Sequence, residues 1–66
     1  MNEQIERRYW ASVMRRVLRQ QATDSSNDSV ARAIFAAGLL RKRLWPAFCI
    51  TLTERGREFL READAS

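Results

Sequence analysis

The sequence predicts a small α+β domain in the order helix, helix, β-hairpin, helix. Three observations carry that expectation. Apolar residues recur at helical spacing over residues 3–21 and again over 26–37; an alternating run at 48–53 follows a charged triplet and Pro46; and a further helical stripe begins behind Thr53. With 66 residues there is room for one domain, spanning 1–66, and a chain of that size buries only about 60% of its unfolded surface. Such folds lean on tight helix packing, a crosslink, a metal or a second subunit. Cys49 is the only cysteine, so no disulfide closes within the chain; with no His there is neither an imidazole ligand nor a triad base.

In the first helix Ile5, Tyr9, Trp10, Val13, Met14, Val17 and Leu18 form one apolar stripe. Arg8, Arg15 and Arg19 share another face, with Arg7 and Arg16 at its flanks. That ridge has two readings: a phosphate-contacting surface, or a solvated face whose long stems cover the edge of the core. Residues 20–29 are polar and rich in Thr, Asp, Ser and Asn, which bond their own backbone and favour turns and caps. Ser25 and Asp28 form a capping-box pattern for a second helix over about 26–37. Its stripe is Val30, Ala33, Ile34 and Ala37; its outer face carries Ser29, Arg32, Phe35 and Ala36; and Gly38 is placed to end it in the left-handed conformation.

Beyond Gly38, Phe48, Ile50 and Leu52 alternate with Cys49, Thr51 and Thr53, the pattern of a hairpin strand. Pro46 has no N–H for a ladder and marks the turn or an edge. Thr53 is a good N-cap, with Glu54 in the first turn of a last helix whose inner side is Gly56, Phe59, Leu60 and Ala63. Gly56 lets that helix approach its neighbour closely.

The chain carries 12 Lys+Arg against 8 Asp+Glu, a net charge of +4, and all but one of the basic residues are Arg. Guanidinium suits planar, bidentate contact to phosphate or carboxylate, so an acidic partner is expected. The positive charge falls in two blocks, each with a net +3: residues 1–20, and residues 41–53, which contain no acid. If the first helix and the hairpin lie side by side, Arg8, Arg15, Arg19, Arg41, Lys42 and Arg43 form one basic stripe. The alternative for Arg41, Lys42 and Arg43 is a charged strand edge that blocks edge-to-edge pairing. Residues 44–50 make an apolar run of seven, far below the roughly twenty a membrane helix needs, and the expected location is cytoplasmic.

From residue 28 to about 62 the order of helix, Gly38-Leu39-Leu40, hairpin and then Ile50-Thr51-Leu52-Thr53-Glu54-Arg55-Gly56-Arg57-Glu58-Phe59-Leu60 resembles the back half of a winged helix-turn-helix domain. In small bacterial regulators similar to the multiple-antibiotic-resistance and PadR groups, a recognition helix ends at such a Gly-Leu-Leu, a two-stranded wing follows, and a comparable Leu-Thr pattern starts the closing helix. The resemblance implies DNA binding. It puts the helix at 26–37 in the recognition position, with Ser25, Ser29 and Arg32 toward a major groove and Arg41, Lys42 and Arg43 against phosphates at the base of the wing.

The expected function is therefore that of a small DNA-binding regulator, as a homodimer that doubles the basic footprint. The alternative is a small protein-binding inhibitor or adaptor, of the phage or mobile-element kind, that docks on an acidic surface. For it the interface candidates are Trp45, Phe48 and Phe35, since exposed aromatics often mark a protein contact; the competing reading packs Trp45, Phe35 and Trp10 together in the core. No enzyme activity, cofactor, metal or small-molecule substrate is expected. Glu54, Glu58 and Glu62 interleave with Arg55, Arg57 and Arg61 as a solvated, locally paired face. Cys49 reads as an inert thiol in an apolar strand, and there is no Gly-rich phosphate loop.

Overall fold

The computed structural model of the chain describes residues 3–23 and 28–65, with side chains from Ile5 onward. The order is α1 (Glu3–Gln20), α2 (Asp28–Ala36), β1 (Leu40–Arg43), β2 (Cys49–Leu52) and α3 (Glu54–Ala65). The strands pair antiparallel, with Leu40 opposite Leu52, Arg41 opposite Thr51, Lys42 opposite Ile50 and Arg43 opposite Cys49. This is an α+β arrangement in the order the sequence predicts.

One core holds these elements together. Val13, Met14 and Val17 of α1 meet Ile34 of α2 and Leu39, Leu40 and Ile50 of the hairpin, and Trp10, Leu18, Val30, Phe35, Leu52, Phe59 and Leu60 pack around them. Met14 and Ile34 are fully enclosed; burial of each side chain is worth about 1.5–3 kcal/mol. The apolar stripe of α1 is narrower than its sequence suggests, because Ile5 and Tyr9 are exposed. At about 100° per residue Ile5 stands some 120° around the helix from Val17, outside the arc that faces the core. Ala11, absent from the expected stripe, is buried instead, as is Ala63 of α3.

Local chemistry explains the joints. The Leu39 N–H donates to the Ile34 carbonyl at 3.2 Å and the Gly38 N–H to the Phe35 carbonyl at 3.0 Å, with Gly38 at φ +77°. This is the Schellman closure that ends α2, with glycine at the left-handed position. Ala37 is therefore in the turn and exposed, while Ala31, one face round, takes its place in the core. Ser25, the expected cap, lies outside the described residues.

Thr53 joins the next pair of elements. Its hydroxyl accepts from the Gly56 N–H at 2.9 Å, which caps α3, and lies within donor range of the Gly38 carbonyl at 2.6 Å and the Leu39 carbonyl at 3.0 Å. The single hydroxyl proton goes to one of these carbonyls at a time, and the Thr53 N–H also reaches the Leu39 carbonyl at 3.3 Å, so one threonine serves the start of α3 and the chain just past α2. Gly56 sits directly on this junction. A Cβ there would run into the Leu39 carbonyl oxygen and come within 2.7 Å of Leu52 Cδ1, so the close approach expected of Gly56 is present.

Gln21 makes a junction that nothing in the sequence announces. Its backbone, at φ +56°, turns the chain out of α1. Its side-chain amide accepts from the Ile50 N–H at 2.7 Å and donates to the Ile50 carbonyl at 3.0 Å and the Leu18 carbonyl at 2.8 Å. Ile50 turns both backbone groups away from β1, and Gln21 serves them as a neighbouring strand would.

Candidate nucleic-acid interface

The structure sorts the expected basic residues into separate places. On α1, Arg15 Nη2 pairs with Asp64 Oδ1 at 2.6 Å and Arg7 Nη1 with Glu62 Oε2 at 3.5 Å, all four side chains about half exposed. Buried Ala11 and Ala63 provide the reason: two small residues let α3 lie close on α1, and Arg8 and Arg15 then flank that seam with Asp64 in a concavity of about 280 Å³. The ridge is thus neither a plain solvated face nor a set of free cations, since its middle member already faces a carboxylate. Arg19 is exposed near the end of α1. On α2, Arg32 pairs with Asp28 one turn earlier at 2.9 Å, and the exposed face is Ser29, Arg32 and Ala36.

The hairpin differs. Arg41, Lys42 and Arg43 are all exposed, and among the described residues no ion pair engages them. Strand alternation points Leu40 inward with its partner strand's buried Ile50 and sends Arg41 and Arg43 to the opposite face with Thr51. Lys42 shares the inward side at its open end, where its ammonium stands 4.9 Å from the centroid of the Phe35 ring in a cation–π contact. Arg41, Lys42, Arg43, Leu44, Trp45 and Thr51 line one open groove of about 600 Å³. Its lining residues are distinct from those of the α1–α3 concavity, so the two basic blocks serve different surfaces.

The aromatic residues part company as well. Trp45 is 82% exposed in the loop between the strands, beside exposed Leu44 and Phe48, which corrects the reading that placed Trp45 in the core with Phe35 and Trp10. Trp10 instead packs on Phe59, with ring centroids 6.2 Å apart. Phe35 is half-buried against the core beneath Lys42 and has no place in the exposed tip. Phe48 precedes β2 rather than joining its inward row, which begins at Ile50.

Other chemistry is thinly provided. Among the described residues no group of three or more Cys, Asp and Glu could hold a metal ion, and no helix is long and apolar enough to cross a membrane. Cys49 is half-buried, its thiol 3.9 Å from the Ile50 carbonyl. A cleft of about 430 Å³ is floored by Trp10, Leu39 and Phe59 and rimmed by Arg55, Glu58 and Glu62. Comparisons with family models, curated proteins and solved structures found no match to the chain.

Proposed function

We propose that the chain is a DNA-binding domain of winged-helix-like layout, with the β1–β2 hairpin as its wing and α2 facing the nucleic acid. The observation that carries this reading is the hairpin itself: three successive exposed cations on a stretch, 41–53, that contains no acid. Arg41, Lys42 and Arg43 supply phosphate contacts; α2 offers one guanidinium, one hydroxyl and one methyl, Arg32, Ser29 and Ala36, so binding is dominated by the backbone rather than by base edges. On α1, Arg15 contributes less, because Asp64 of α3 already pairs with it and lies in the same concavity as Arg8, while Arg19 stands exposed near the end of the helix.

Counterion release gives the test. Titration of a labelled random duplex at several salt concentrations is expected to give a steep log–log decline, and replacing Arg41, Lys42 and Arg43 together by Ala should reduce its slope by about 2.7, or 0.9 for each lost phosphate contact. A flat salt response in the unmodified protein would overturn the reading. A second reading, a small protein-binding inhibitor or adaptor on an acidic partner, is favoured by one observation, the exposed Leu44, Trp45 and Phe48 at the hairpin tip. It gains if duplex binding is absent at physiological salt.

A further inference from the structure

We infer that the outer groove of the hairpin is a base-stacking site, in which Trp45 takes the face of an unpaired base of single-stranded DNA while Arg41 and Arg43 hold the adjoining phosphates. This rests on the nucleic-acid reading above and narrows its ligand.

Trp45 contributes nothing to the core. At 82% exposure it is the most open of the large apolar side chains among the described residues, and Leu44 at 75% stands next to it. An indole left in water beside another apolar group is a surface awaiting a partner. The partner's chemistry is written in the same groove: Trp45 lines it together with Arg41, Lys42 and Arg43, so whatever fills it must present negative charge and a flat apolar surface side by side. A single-stranded nucleotide does both. Paired duplex DNA offers the phosphates but hides the base faces in its stack, whereas a single strand sets a planar base beside every phosphate, a pairing that an acidic protein surface supplies only where an aromatic side chain flanks its carboxylates. Arg41 and Arg43, two positions apart on one face of β1, have Cα atoms about 6.8 Å apart, on the scale of the step between neighbouring nucleotides of an extended strand. Cationic grooves with aromatic platforms are the general solution for holding single strands without reading sequence.

The experiment compares a labelled oligo(dT) with a fully paired duplex of equal length, using the whole chain and its Trp45→Ala and Trp45→Phe variants. Trp45 lies outside the core, so both variants are expected to keep the thermal unfolding midpoint of the parent, and this is measured first. The parent is expected to bind oligo(dT) more tightly than duplex, with quenching of tryptophan emission that is lost in Trp45→Phe, where Trp10 is the remaining indole. Trp45→Ala should weaken oligo(dT) binding about tenfold or more, Trp45→Phe by less, and neither should alter duplex binding. Equal loss on oligo(dT) and duplex, or no loss on either, overturns the stacking site while leaving the phosphate reading intact; absence of salt-dependent binding to both nucleic acids overturns the two together. A blue shift of Trp45 emission on vesicles containing anionic phosphatidylserine, with none of these responses to oligo(dT), would assign the groove to a lipid surface and overturn it as well.

Discussion

On the α1–α3 face, Arg7 and Arg15 stand against the carboxylates of Glu62 and Asp64, whereas on the hairpin Arg41, Lys42 and Arg43 project from a stretch that contains no acid. The two blocks have the same net charge in the sequence, and only the fold separates them. An opposite charge within 4 Å of an exposed guanidinium cancels most of its field at a distance, so a phosphate approaching the α1–α3 seam meets two guanidiniums already paired, while one approaching the hairpin meets three cations with no ion pair among the described residues. Cation count along a chain is therefore a poor guide to an electropositive surface; where the packing of other elements sets the carboxylates decides it.

The strongest way to break this contrast is to remove the helix that imposes it. Gly56→Val places a branched side chain where the Leu39 carbonyl oxygen and Leu52 Cδ1 already leave no room for one carbon. Backbone cannot yield as a flexible side chain would, so a cost of about 3 kcal/mol or more is expected, comparable with the whole stability of a domain this small. Urea unfolding should show a chain that is largely unfolded at 25 °C; an unchanged midpoint would mean that α3 does not dock as described. A smaller effect is expected at the other block. Gln21→Ala strips the Ile50 N–H and carbonyl of their amide partner and should cost about 1–3 kcal/mol. Loss of hydrogen-exchange protection should centre on the Ile50 amide. In Gln21→Glu the acceptor for that amide survives and the donor does not, so protection should be partly retained. Full protection in Gln21→Ala would show that the hairpin is held by its apolar contacts alone.

What was legible in the sequence was what has local causes. Helical spacing, Gly38 after α2 and Thr53 before α3 each act on neighbours a few positions away, and each stands where the pattern puts it; Gly56 announces a close approach but not its neighbour, the Leu39 carbonyl from before β1. The C-terminal limit of α2 falls at Ala36, one residue short of the expected 37, because the apolar stripe continues through Ala37 while the backbone has already turned; the expected start at 26 lies outside the described residues. The rest depended on contacts distant in sequence. Gln21 looks like any polar connector until Ile50, 29 positions on, is laid beside it. Arg15 reads as a free cation until α3 brings Asp64 from 49 positions away. The cause of that approach, Ala11 against α3, carries no chemical signal, since alanine in an amphipathic helix fits either face. Trp45 was ambiguous for the opposite reason: indole is equally at home in a core and on a binding surface, and only the two short strands that hold it away from the body decide between them.

The smallest stability effect probes the contrast most directly. Replacing Glu62 by Gln and Asp64 by Asn removes the partners of Arg7 and Arg15 while leaving the helix seam in place. Exposed ion pairs are worth about 0.2–1 kcal/mol, so the unfolding midpoint should barely move. Duplex binding should strengthen and its salt slope should rise, by up to about 0.9 for each guanidinium newly available to a phosphate. Removing two carboxylates also raises the net charge from +4 to +6, which would strengthen binding wherever the carboxylates were. The control is therefore the double variant Glu54→Gln, Glu58→Gln, on the same helix and with the same change in net charge, at positions with no ion pair among the described residues. If pairing is what silences α1, the Glu62, Asp64 variant gains slope and the Glu54, Glu58 variant gains mainly affinity at low salt. Equal gains in the two would show that the α3 carboxylates act only through the overall charge, and the distinction between the two arginine surfaces would fall.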